Sequence, residues 1–264
     1  MEWWLGYLGV GAVAGFFAGM FGIGGGAIIV PLLLMLFETQ GLPKAHIVHF
    51  AVGTAMATIL FTSVASVRAH AARGAIRWDI AWKMTPGVLA GGLIGSWITT
   101  YIPAAAFAAL FALVIFGAGT SLLLDVKPKP SRQPPGLAGM FVAGGLISAL
   151  SAFAAIGGAF MTVPFMLWCN VPLLTAIGTA AAIGFPIALS GTIGFVAAGL
   201  RETVLPPYSA GYVFLPALAG IVVASMLTAP LGAATAHRLP TRLMKRVCAL
   251  LFYAIAARML LSSW

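Results

Sequence analysis

Acidic residues are nearly missing from this chain, with five Asp and Glu among 264 residues against fourteen Lys and Arg. All five (Glu2, Glu38, Asp79, Asp125 and Glu202) fall at the ends of apolar runs or between them, so a buried carboxylate relay of the kind used by many proton pumps is excluded. Cysteine is also scarce. Cys169 and Cys248 cannot supply a disulfide framework or a zinc site, and they read as small core residues, with Cys169 placed near the end of its run where a substrate path could pass. Neither Gly-x-Ser-x-Gly nor His-Glu-x-x-His occurs, which leaves no motif for an intramembrane hydrolase. No metal site or cofactor is expected. The opening Met1-Glu-Trp-Trp has none of the basic residues that begin a signal peptide, so the first apolar segment is expected to remain in the mature protein.

What remains is apolar. Hydrophobic residues make up 61% of the chain and charged ones 7%, where a soluble domain carries roughly 25% charged. This composition predicts an all-α, polytopic membrane protein in contact with the lipid bilayer, without a separate soluble domain. The net charge of +9 lies mostly in short loops, where it reads as a topology signal rather than a nucleic-acid surface.

The apolar runs are 5–37, 45–67, 80–102, 104–124, 137–168, 173–198, 209–236 and 247–261. Most match the roughly 20 residues of one crossing, but the first and fifth are too long for one. Each of these two carries a glycine cluster followed by proline. Laying Pro164 on Pro31 puts Gly157 on Gly24, Gly158 on Gly25 and Ala159 on Gly26, and Gly53-Thr54 then matches Gly178-Thr179. Further on, Gly95 matches Gly232 and Pro103 matches Pro240. The chain therefore reads as a duplication: an N-terminal repeat over 1–124, a proline-rich cytoplasmic linker over 125–135 and a C-terminal repeat over 136–264.

Loop charges choose the topology. With one crossing per long run, five basic residues face nine across the membrane; with each long run folded back at its glycines, eleven face three. The stronger bias favours the folded-back form, with both termini outside. Each half then has a re-entrant glycine hairpin and three crossings, and the second half enters from the opposite face, as inverted repeats do in secondary transporters.

Such a hairpin opens helix N-termini inside the membrane, where backbone N–H groups and the helix dipole attract anions. Gly24, Gly25, Gly26, Gly157, Gly158 and Ala159 are the candidate substrate-binding positions, with Thr54 and Thr179 as hydroxyl donors. The competing role for the glycines is close helix packing, the expected role of Gly11, Gly15 and Gly19; for the threonines it is a bond to the preceding helical turn. His46 and His49 lie one turn apart and are candidate proton carriers or interface residues. Ser151, with Ser148, adds polarity to the second broken helix only.

The pattern Gly22-Ile-Gly24-Gly25-Gly26-Ala-Ile-Ile-Val-Pro31, followed by Gly53-Thr54 and echoed after a linker, resembles the TauE/SafE sulfite exporter family. That resemblance implies multi-pass transport of small sulfur-containing anions such as sulfite or organosulfonates, usually out of the cytoplasm, across the plasma membrane. The second copy departs from it, since Ala155-Ile-Gly157-Gly158-Ala159 has lost two glycines. The expectation is an exporter working by alternating access, as a monomer or homodimer. The alternatives are transport of another small anion or carboxylate, an intramembrane enzyme, or an assembly factor.

Overall fold

In lipid every backbone polar group needs an internal partner, so apolar runs with few charges become helices. The computed structural model describes residues 3–21, 25–124, 133–155, 158–202, 205–236 and 241–261, which form ten α-helices and one short β-hairpin. The helices are α1 (Trp3–Phe21), α2 (Gly26–Thr39), α3 (Ile47–Ala71), α4 (Trp78–Thr99), α5 (Ala104–Leu123), α6 (Leu137–Ala154), α7 (Ala159–Trp168), α8 (Leu173–Gly199), α9 (Leu215–Ala236) and α10 (Thr241–Leu261). By length and composition, five of them can cross a membrane: α3, α6 and α8 whole, and spans within α5 and α9. The linker residues 125–132, together with Gly24, Gly157 and Trp264, lie outside the described residues.

Both long runs break where the glycines cluster. Gly25 and Gly158 take left-handed backbone, φ 74° and 71°, immediately before α2 and α7. That conformation is cheap only for glycine, which explains why the matched position is glycine in both copies. The first run then doubles back: Gly25 packs on Ala14 and Ala18, Gly6 on Leu36, and Tyr7 Oη donates to Gln40 Oε1 at 2.7 Å. A single continuous helix would hold Tyr7 and Gln40 about 50 Å apart.

Glycines also set the helix directions. On α1 and α9, Gly11 lies at Ile221, Gly15 at Ser225 and Gly232 at Phe16, so the two run parallel. On α4 and α6 the contacts are Gly87 with Phe141, Gly91 with Gly145 and Gly95 with Ala149, again parallel. Helix α8 runs parallel to α4, with Gly92 at Ser190 and Gly194 at Ser96, and antiparallel to α3, with Gly53 at Phe195 and Gly191 at Met56. The register repeats too. A Cβ on Gly95 would meet the Ala149 carbonyl, and one on Gly232 would meet that of Phe16, the residue that falls on Ala149 when the prolines are aligned.

The buried apolar residues form two clusters that do not follow the two halves. One joins α1, α2, α3 and α9 with α5 and α10 around Phe37, Phe50, Phe111 and Tyr212. The other joins α4, α6, α7 and α8 around Met84, Met140, Met166 and Ile183. Each therefore combines the first three helices on one side of the linker with the fourth helix on the other side, α9 or α4. Trp3, Trp4, Trp78, Trp82 and Trp97 are exposed near helix ends, as interfacial anchors are.

Two boundaries differ from the sequence expectation. The apolar run from Ser209 begins as a hairpin, Ser209–Ala210 against Val213–Phe214, and α9 starts only at Leu215. Gly211 (φ 55°) and Tyr208 (φ 64°) have left-handed backbone there, which a continuing helix cannot accommodate. Helix α10 begins at Thr241, before its apolar run, and takes in Arg242, Lys245 and Arg246.

Candidate functional site

The two glycine breaks meet. A Cβ on Gly26 would run into the Ala155 carbonyl and into Ile59, the midpoint of α3; Gly158 lies on Ile187, midway along α8. The backbone ladder of α2 starts with Ile28 and Ile29 N–H donating to Gly25 O, leaving the N–H groups of Gly26 and Ala27 outside it. Helix α7 is alike: Met161 and Thr162 N–H donate to Gly158 O, and those of Ala159 and Phe160 lie outside. Neither N-cap is satisfied by a side chain. Both helices thus begin beside the middle of a long helix, α3 or α8, with no side-chain cap, an arrangement suited to an anion.

Thr162 was not singled out from sequence. Its hydroxyl is fully buried beside Gly158 and has no hydrogen-bond partner among the described residues, and Ser148 Oγ is in the same condition. The signal was present, because Thr162 is the polar residue that falls on Ile29 of the first copy. Ser151, by contrast, donates to Ile147 O at 2.8 Å within its own helix. A cavity of about 10 Å³ beside Gly25, walled by Phe17, Ala27, Cys248 and Phe252, has room for about one water. An oxyanion of four heavy atoms does not fit in that cavity.

Thr54 and Thr179 are both fully buried and make matched bonds across the halves. Thr54 Oγ1 accepts from Phe214 N–H at 3.0 Å, and Thr179 Oγ1 accepts from Arg77 N–H at 2.9 Å; each acceptor serves the residue just before a helix on the other side of the linker, α9 and α4 respectively. Thr179 also donates to Thr175 O at 2.7 Å. The glycine before each threonine lets that segment approach, since a Cβ on Gly53 would meet the Tyr212 carbonyl and one on Gly178 that of Ala75. The Gly-Thr pair therefore works as a clamp for the opposite half.

His46 and His49 belong to a cluster at one end. His49 is buried, its Nε2 2.9 Å from Thr99 O. The His46 ring is 5.8 Å from that of His49, and its Nδ1 lies 3.2 Å from Tyr212 Oη, which donates to Glu202 Oε1 at 2.9 Å. Burial and the Glu202 carboxylate push the Tyr212 hydroxyl above the usual tyrosine range, so it stays protonated. Glu202, read from sequence as a run-end acid, thus has a specific partner set. Cys169 is buried at the far end of α7 from Gly158. Asp79 pairs with Arg77 at 2.6 Å, well exposed.

Over residues 7–259 the chain matches the family described as Sulfite exporter TauE/SafE. It is 34% identical over 253 residues to a probable membrane transporter protein of Haemophilus influenzae, covering 96% of both chains. A probable membrane transporter protein of Methanocaldococcus jannaschii is 23% identical, with 84% of this chain and 82% of the relative covered. One from Bacillus subtilis is 27% identical, with 88% and 89% covered. No solved structure matches.

Proposed function

The chain belongs to the sulfite exporter TauE/SafE family and is a membrane transporter rather than an enzyme; from that premise we propose that it exports small sulfur-containing anions such as sulfite or organosulfonates. The substrate would sit where the two glycine breaks meet, held by N–H groups at the starts of α2 and α7 around Gly25, Gly26, Gly158 and Ala159. Gly24 and Gly157 belong to the proposed site by their place in the sequence alone. The hydroxyl of Thr162 supplies a side-chain donor, while Thr54 and Thr179 act from behind by clamping the halves together. The observation that carries the reading is the contact of Gly26 with the Ala155 backbone at mid-depth, between two uncapped helix starts.

Alternating access around this site follows the packing. The opposed directions of α3 and α8, with α1 parallel to α9 and α4 parallel to α6, support inverted repeats. The two apolar clusters then suggest the moving bodies: α1, α2, α3 and α9 against α4, α6, α7 and α8. A cytoplasm-negative potential favours anion export by about 2.3 kcal/mol per charge per 100 mV, so a uniporter suffices. In this reading the protein lies in the plasma membrane with both termini outside and the linker in the cytoplasm.

The test is flux from proteoliposomes loaded with sulfite, thiosulfate, sulfoacetate, sulfate or chloride, at controlled voltage. Voltage-dependent efflux of sulfite or sulfoacetate, well above that of chloride, is the expected result. Equal flux of all five, or none of the sulfur anions, would reject it.

A further inference from the structure

His46, Tyr212 and Glu202 join three parts of the chain that meet only in the fold. His46 precedes α3, Tyr212 sits in the hairpin before α9, and Glu202 lies just past α8, the helix of the opposite apolar cluster. Their hydrogen bonds assign the protons. Tyr212 has one proton and donates it to Glu202 Oε1, so toward His46 it only accepts, and Nδ1 of His46 carries a hydrogen. The other ring nitrogen, Nε2, lies 3.6 Å from Glu202 Oε2. Bare, it directs a lone pair at a carboxylate; protonated, it forms an ion pair with it.

We propose that this cluster is a proton-binding latch: a proton taken from solvent onto His46 Nε2 ties the segment before α3 to the end of α8 and holds that end of the transporter shut. Both side chains are about one-third exposed, so solvent supplies the proton directly. Among the described residues, the groups facing His46 are few. From α3 there is the His49 ring, from the hairpin Tyr212, and from the end of α8 Glu202; α4 and α5 contribute to this corner the uncharged Thr99 carbonyl and Phe107. His49 is buried and bound through Nε2 to that carbonyl, while His46 is the ring that faces Glu202. The ion pair needs the proton on Nε2 and is lost when that proton leaves. The inference rests on the chain being a transporter and not on which anion it carries.

Two measurements on the full-length protein test it. The first needs no anion: unfolding midpoints of purified wild type and Glu202→Gln are compared at about pH 5.5 and pH 8, the two sides of histidine titration. Wild type should exceed the variant at the lower pH, with the gap closing at the higher. The second is efflux at those pH values on the latch side, where acidification should slow wild type about threefold, as befits a partly exposed pair. Glu202→Gln should flatten that profile, and His46→Gln should do the same should the first variant fail to fold. A midpoint gap equal at both pH values would overturn the proton site. A pH-dependent gap with unchanged flux profiles would leave an ion pair without a latch and overturn the proposal. Absence of flux for every anion, with the midpoint gap intact, would count against the transport reading and not against the proton site.

Discussion

Thr54 with Phe214, and Thr179 with Arg77, occupy matched corners of the molecule, and their backbone contacts agree closely while their side chains do not. At both, a glycine admits a carbonyl from the other half and the threonine after it accepts an N–H at 2.9 to 3.0 Å. Around Arg77 the connection is short, residues 72–77, and carries an exposed ion pair with Asp79. Around Phe214 it is residues 200–214, long enough to hold a hairpin and to bring Tyr212 and Glu202 onto His46. The contacts common to both corners are backbone contacts admitted by a glycine. The longer connection is where one corner carries side-chain chemistry the other lacks.

The likeness of the corners can be broken most severely through their glycines. Gly53→Val and Gly178→Val each drive a side chain into a backbone carbonyl, and each should cost about 3 kcal/mol of stability. Thermal unfolding in detergent measures this, and a large effect at one corner alone would end the equivalence. A milder pair is Thr54→Val and Thr179→Val. Each strands a partly buried N–H, at about 1 kcal/mol, with Thr179 the more damaging because its hydroxyl also donates to Thr175 O. The smallest effect is expected for Asp79→Asn. Its ion pair with Arg77 is half exposed and should contribute less than about 1 kcal/mol, fading in high salt, where the clamp beside it stays intact.

Much of this architecture is readable in the chain because it rests on local features. The glycine clusters, the prolines at Pro31 and Pro164 and the excess length of two runs all point to broken helices, and the first folds back as the loop charges indicated. Gly53-Thr54 and Gly178-Thr179 could be matched by eye, but their partners Phe214 and Arg77 are supplied by the other half, which spacing does not reveal. Thr162 was passed over because a lone threonine in an apolar run resembles any other until its lack of a partner is seen. Glu202 was read as a loop acid for a similar reason, since the turn that delivers it to His46 depends on left-handed backbone at Tyr208 and Gly211.

The central claim is that two glycine breaks, one from each half, make one anion site. Equilibrium binding of radiolabelled sulfite to purified protein tests it most directly, using wild type, Gly26→Val and Gly158→Val, with Gly9→Ala as a control that meets no neighbour. One sulfite should bind per chain in wild type and in the control, and either valine alone should abolish binding. Two sulfites per chain, or binding that survives the loss of one turn, would contradict a shared site.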